Sequence, residues 1–206
     1  MKMLPFSLGL SMFASMFMWS STQAYTIADV TLQDTVAATK ERPELTLNGA
    51  AVREMYFLVK TYVGALYLEE HNEDPEAILA SETHKRMVFI TMLKKVSARR
   101  IANALQEALV VNLTEDEHKA LGDELTQMLS YFEGKMYEGQ ETLFDYIPGK
   151  GTRITMNGKV KGIIPGSAYF QAMLSIWIGQ TPVGRNFKES VLGLNMPKVP
   201  AQVAHK

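Results

Sequence analysis

The apolar positions of this chain change period along its length, and the changes predict strands, then helices, then strands again before a final helix. The longest apolar segment, residues 48–68, reads NGAAVREMYFLVKTYVGALYL and begins with Asn48-Gly49, a dipeptide typical of tight hairpin turns. Its many Val, Tyr, Phe and Leu residues predict one long strand that follows this turn. We therefore expect the fold to be organised around residues 48–68.

Shorter patterns place the other elements. Further strands are predicted at 25–32, 44–47, 84–93 and 141–149, with a hairpin at 151–166 that turns at Asn157-Gly158. Helices are predicted after Asp74-Pro75, at 97–112, from Thr114 to Gly134, at 167–178 and at 186–192. Thr114 and Glu117 have the spacing of a capping box. This order predicts an α+β layer fold, and the short links between strands predict a mainly antiparallel sheet.

The first 24 residues have the pattern of a secretory signal peptide. Lys2 precedes an apolar segment at 4–19, and the small residues of 21–24 precede Tyr25. An uncleaved membrane anchor is the alternative, but it needs about 20 apolar residues, and this segment is shorter and contains Pro5 and several serines. We expect cleavage after Ala24, a periplasmic or secreted product without stable membrane insertion, and one domain over 25–206 with a loose tail from about 195.

Composition excludes several classes of function. The 206 residues contain no cysteine, so disulfides, thiolate catalysis and thiolate metal ligands are absent. A net charge of −1 without a basic segment argues against nucleic-acid binding. The four histidines do not have metal-ligand spacing, and the chain has no phosphate-binding loop and no paired catalytic carboxylates. We expect neither a metal nor another cofactor.

Arg53 is the one charge on an otherwise apolar face of the predicted strand. It alternates with Met55, Phe57 and Val59, so a regular strand points all four side chains to one side. A buried guanidinium stays protonated and needs an anionic or carbonyl partner. The alternative is a partly exposed arginine whose stem lies on the surface and whose head group pairs with Glu54 or Glu44.

Three segments together resemble the chalcone isomerase-like family, and in particular its exported bacterial branch. They are residues 47–70, 89–105 and 157–193, within a likeness that spans about 45–194. The most specific parts are Gly-x-x-x-Arg at 49–53, Lys-x-Tyr-x-x-x-Leu-Tyr-Leu at 60–68, Trp-x-Gly at 177–179 and Leu-Gly at 192–193. The resemblance implies an open-faced β-sandwich, in which helices cover one face of a long sheet and a ligand cleft lies between the layers.

The same resemblance implies a site. The family shares a cleft arginine, matched here by Arg53, and its fatty-acid-binding branch adds a strand tyrosine, matched by Tyr62. Arg53 and Tyr62 are nine positions apart, so they share a face only if a bulge intervenes, whereas Thr61 shares it without one. We expect the carboxylate of a ligand at Arg53 with Tyr62 or Thr61, and its apolar body against Phe57, Ile101, Leu105, Phe170 and Trp177.

The sequence departs from the isomerase pattern of the family. The enzymes carry a Tyr and an Asn on a helix, and the corresponding positions here are Ile101 and Ala108. Without that pair, only Arg53 remains to stabilise an enolate or phenolate. The leading hypothesis is therefore a non-catalytic protein that binds a fatty acid or similar apolar carboxylate. The alternatives are an isomerase or intramolecular lyase on an unknown substrate, and an accessory protein of the cell envelope without a ligand.

Overall fold

A seven-stranded antiparallel sheet forms the centre of the structure, a computed structural model that describes residues 24–56 and 58–195. The strands are β1 (Ala24–Ile27), β2 (Val30–Gln33), β3 (Thr35–Val36), β4 (Leu45–Met55), β5 (Val59–Leu68), β6 (Lys85–Thr91), β7 (Lys95–Ser97), β8 (Lys135–Tyr137), β9 (Glu141–Ile147), β10 (Gly151–Met156) and β11 (Lys159–Pro165). The helices are α1 (Pro75–Ala80), α2 (Ala98–Val110), α3 (Glu115–Ala120), α4 (Gly122–Tyr131), α5 (Ala168–Ile178) and α6 (Arg185–Val191).

The main sheet has the order β11-β10-β9-β6-β5-β4-β3, and all its pairings are antiparallel. Strands β6 and β9 are neighbours although α2, α3 and α4 lie between them in the sequence. The chain thus leaves the sheet after β6, forms these helices and returns to the sheet as the neighbouring strand β9. The predicted α+β class and antiparallel sheet are confirmed.

Each face of the sheet has its own apolar layer. The helices cover one face, where side chains of α2, α4, α5 and α6 pack with alternate residues of the strands, among them Leu66, Met87, Phe144 and Ile154. The small β1–β2 hairpin covers part of the opposite face, where Leu32 packs with residues such as Val63, Ala65 and Val88. The period-two alternation of β5 and β6 thus supplies both layers.

The segment predicted as one strand is a hairpin of two strands, and this prediction was wrong. Strands β4 and β5 pair along their length, and the turn between them contains Tyr56 with a positive φ of 53°. Asn48-Gly49 lies inside β4, at a register shift between Leu47 and Gly49. The Asn48 amide donates to the carbonyl oxygens of Asn72 (3.0 Å) and Val191 (3.1 Å), so the dipeptide fastens β4 to α6 and does not form a turn.

Two other segments that the sequence predicts as single elements each form two elements in the structure. The predicted strand at 25–32 is the β1–β2 hairpin, because Ala28 and Asp29 both adopt positive φ, as a tight two-residue turn requires. The predicted helix from Thr114 begins with the expected capping box but separates into α3 and α4 at Leu121 (φ −96°, ψ 11°). The Asn157-Gly158 turn and the Asp74 cap of α1 are where the sequence predicts them.

Two predictions on the chain ends fall wholly or largely outside the described residues. The predicted signal peptide includes residues 1–23, and the predicted loose tail includes 196–206. Over the described part of the chain, no helix combines the length and apolar character needed to span a bilayer.

Candidate functional site

Arg53 lies near the end of β4, on the face of the sheet that the helices cover. Its side chain is half-buried, and its Nη1 donates to the carbonyl oxygen of Glu54 (2.8 Å). A Cβ built on Gly184, the residue before α6, would lie 3.8 Å from the same Nη1. The guanidinium therefore sits between the end of the β4–β5 hairpin and the start of α6.

A cavity of about 640 Å³ opens beside this guanidinium. Its walls come from two distant parts of the chain, the end of β4 and the beginning of α6, and consist of Val52, Arg53, Glu54, Met55, Tyr56, Gly184, Arg185, Asn186 and Phe187. Among the salt bridges formed by residues 24–56 and 58–195, none involves Arg53 or Arg185. The site thus presents two cations that are not neutralised by a carboxylate of the described chain.

Tyr62 is directly opposite Arg53 in the β4–β5 register. Opposite residues of an antiparallel pair point to the same face, so both side chains lie on the helix-covered side. A bulge is also present, because Arg53 pairs with Tyr62 and Glu54 with Lys60, which leaves Thr61 as the extra residue. The Thr61 hydroxyl donates to the Arg53 carbonyl oxygen (2.8 Å) and holds the bulge.

The Tyr62 hydroxyl has a buried hydrogen-bond partner. Trp177 Nε1 donates to Tyr62 Oη over 2.9 Å. Burial raises the pKa of Tyr62 to about 12, although the Trp177 hydrogen bond and the nearby Arg53 charge act in the opposite direction. Tyr62 therefore remains a neutral phenol at physiological pH, and its own proton is available for donation.

Aromatic rings separate the cavity from the core. The Tyr62 ring makes edge contacts with Phe89 (5.4 Å between centroids) and with Phe187 (5.8 Å). Phe89 in turn lies 4.5 Å from Trp177. Because Phe187 also lines the cavity, it forms the wall between the open space and this aromatic cluster.

The other predicted site residues occupy different places. Ile101 and Leu105 on α2 are partly buried against the helix-side core and do not border the cavity. Phe170 lies deeper in that core, 5.4 Å from Tyr146, and Trp177 is buried behind Tyr62. Ala108, like Ile101, packs against the core and offers no polar group. Phe57 lies outside the described residues.

Sequence reasoning missed the contribution of α6. Gly184, Arg185 and Phe187 are about 130 residues away from Arg53 in sequence, and no local pattern connects them. The available signal was the break at Pro182 and Gly184 before a short helix, because such a break allows the backbone to approach another element closely.

The chemistry of this arrangement suits anion binding more than acid–base work. Two guanidinium groups line the cavity as donors, and Glu54 is the only carboxylate among the residues that line it. Over the described chain, no group of three His, Asp or Glu side chains is arranged to hold a metal ion.

Comparisons with known proteins identify the family. No curated protein sequence matches the chain significantly. Among solved structures, a fatty-acid-binding protein of Arabidopsis thaliana superposes with a TM-score of 0.66 at 14% identity, covering 82% of this chain and 96% of that one. At this identity the likeness shows the fold. A sequence profile described as chalcone isomerase-like matches residues 24–193. The resemblance noted in the sequence is confirmed, and the chain belongs to the chalcone isomerase-like family.

Proposed function

We propose that the protein binds a fatty acid or a similar apolar carboxylate without catalysing a reaction on it, and that Arg53 receives the carboxylate. One observation carries this proposal: the guanidinium of Arg53, a partly buried residue, borders a cavity of about 640 Å³ and bonds, within the described chain, to a single backbone oxygen. Ligand pockets usually measure about 300–1,000 Å³. The fold shared with a fatty-acid-binding protein supports the same function.

The apolar part of the ligand has a wall to lie against. Val52, Met55 and Phe187 border the cavity with carbon atoms, and Arg53 lies among them. This position is nearer the hairpin end than the sequence suggests, because Phe170 and Trp177 belong to the filled core behind Tyr62. An acyl chain would therefore run between the hairpin and α6 and would contact Phe187.

The neighbours of Arg53 have separate roles in this proposal. The Tyr62 hydroxyl accepts the Trp177 N–H behind Phe187, so Tyr62 supports the wall of the cavity and does not itself contact the ligand. Thr61 is committed to the Arg53 carbonyl oxygen, so it positions the strand and does not contact the ligand. Arg185 adds a second positive charge at the mouth of the cavity.

A pair of ligands tests the role of Arg53. Palmitate and hexadecanol have chains of equal length, but only palmitate carries a charge. A charge-assisted hydrogen bond contributes about 1.5–3 kcal/mol, or roughly a tenfold to hundredfold preference for palmitate. In calorimetric titrations we expect Arg53→Ala to remove this preference and leave hexadecanol affinity nearly unchanged. Arg99→Ala is the matched control, since Arg99 is exposed on α2 and does not border the cavity. Equal palmitate affinity in Arg53→Ala and in the unchanged protein would refute the proposal.

The proposal includes export to the periplasm or the exterior. Its test is the N-terminus of the purified protein, read by mass spectrometry, which should be Tyr25. An isomerase of the same fold is the alternative function, and turnover of a chalcone by the purified protein would favour it. The apolar positions Ile101 and Ala108 argue for binding alone.

A further inference from the structure

The end of the β4–β5 hairpin exposes four large apolar side chains among its described residues. Met55 is 45% exposed, Tyr56 84%, Leu58 88% and Val59 46%. Position 57, also apolar in the sequence, lies outside the described residues. We call Met55, Tyr56, Leu58, Val59 and Lys60 the hairpin tip. Exposed large apolar side chains that adjoin one another usually mark an interaction surface.

The hairpin tip has cations close to it. Met55 and Val59 are opposite each other in the register, so an exposed apolar side chain stands at the end of each strand. The residues of the tip and of the adjoining cavity include Arg53, Lys60 and Arg185 but only one carboxylate, that of Glu54. Lys94 lies close by, since it is two residues beyond Met92, whose N–H donates to the Thr61 carbonyl oxygen (3.0 Å).

We infer that the hairpin tip docks on the surface of an anionic lipid bilayer. An apolar end that projects from the fold can enter the boundary between headgroups and acyl chains, where Tyr is also favoured. The side chains of Lys60 and Lys94 beside it then reach lipid phosphates. The cavity, which Met55 and Tyr56 help to line, would then lie next to the lipid.

This inference does not depend on the proposed ligand. Leu58, Val59 and Lys60 do not line the cavity, so changes there alter the docking surface and leave the Arg53 environment in place. Vesicle binding and palmitate affinity are separate measurements, and either can fail without the other.

The experiment is sedimentation of the purified protein with vesicles. The vesicles consist of phosphatidylcholine alone or of phosphatidylcholine mixed with phosphatidylglycerol. We expect the Leu58→Ser/Val59→Ser variant to bind the mixed vesicles at least about tenfold more weakly, since it loses two apolar side chains. Val110→Ser/Val111→Ser is the matched control, because Val110, the last residue of α2, and Val111, its C-cap, are 59% and 63% exposed and lie away from the tip. It should bind like the unchanged protein.

Charge is tested in the same assay. Lys60→Gln should weaken binding to the phosphatidylglycerol vesicles about fivefold and leave binding to phosphatidylcholine unchanged. Lys119→Gln, on the exposed surface of α3, is its control and should have no effect. All variants share one N-terminus, so that segment contributes equally to each.

Three results would overturn the inference. The first is no binding to either vesicle, and the second is equal binding by the Leu58→Ser/Val59→Ser variant and the unchanged protein. The third is concentration-dependent dimerisation that the same variant abolishes, because the tip would then be an interface between two copies of this chain.

Discussion

The hydrogen bond between Trp177 and Tyr62 joins the core to the candidate site, and Tyr62→Phe tests its contribution. The substitution keeps the ring contacts with Phe89 and Phe187 but removes the acceptor of Trp177 Nε1–H. Trp177 is only 2% exposed, so water cannot replace the lost oxygen without rearrangement. A buried donor without a partner costs about 1–3 kcal/mol, and the whole cost should appear in the free energy of unfolding.

The assays are urea and thermal denaturation of the purified protein, followed by fluorescence and circular dichroism. The chain has two tryptophans, Trp19 and Trp177, and Trp19 lies in the predicted signal peptide. In a protein cleaved after Ala24, fluorescence would report on Trp177 alone. For a chain of this size, each kcal/mol lowers the melting temperature by about 2–4 °C, so Tyr62→Phe should shift it measurably.

A double-mutant cycle separates the hydrogen bond from packing. In a Trp177→Phe background the donor is gone, and Tyr62→Phe should cost about 1 kcal/mol less than it does alone. Tyr67→Phe is the control, because the Tyr67 hydroxyl donates to the carbonyl oxygen of Gln33 (2.9 Å), an exposed residue where water can substitute. Near-zero coupling, with Tyr62→Phe costing no more than Tyr67→Phe, would refute the assigned role.

Two further predictions follow from the same strands. Gly49→Ala should destabilise the fold by about 1–3 kcal/mol or more, because the added Cβ would lie 2.1 Å from the Ser190 carbonyl oxygen. Gly122→Ala is the control, because its Cβ would meet nothing within 4 Å. Thermal unfolding of both variants is the measurement, and equal melting temperatures would contradict the prediction. Burial raises the pKa of Tyr62 and Tyr67 from 10.0 to about 12, so between these values the unfolded chain releases protons that the folded chain keeps, and stability falls as pH rises. Either Tyr→Phe variant should reduce this slope in denaturation curves measured across that pH range, and an unchanged slope would contradict the assignment.

Local signals predicted those elements whose causes are local. The Asn157-Gly158 turn, the Thr114–Glu117 capping box and the Asp74 cap each depend on residues within three positions of one another. The α+β order follows from the same kind of pattern. Such features can be predicted because the physical interactions that form them involve neighbours in the sequence.

Asn48-Gly49 shows why the same signal failed elsewhere. The Asn48 side chain bonds to Asn72 and Val191, which are 24 and 143 residues away, and Gly49 permits contact with the backbone of α6. At Asn157-Gly158 both residues adopt positive φ and form the turn, whereas at 48–49 neither does. Asn-Gly is compatible with both a turn and a strand, and the tertiary contacts determine which conformation it adopts.

The same distinction between local and long-range interactions applies to the candidate site. A charge within an apolar pattern, together with the family likeness, drew attention to Arg53. Its relation to Tyr62 could not be predicted from alternation in one strand, because the two residues lie on paired strands of a hairpin. Arg185 and Phe187 reach the cavity only because α6 packs on β4.

Three properties depend on the β4–β5 hairpin, namely stability, carboxylate binding and membrane docking, and a different variant tests each of them. Tyr62→Phe acts on the core through Trp177, Arg53→Ala removes the positive charge proposed to bind the carboxylate, and Leu58→Ser/Val59→Ser changes only exposed side chains. If these properties are independent, the first variant lowers stability, the second lowers palmitate preference and the third lowers vesicle binding, each with the other two nearly intact. Loss of all three in every variant would instead mean that the hairpin folds only as a unit with α6, and that Arg53 and the hairpin tip act through its stability.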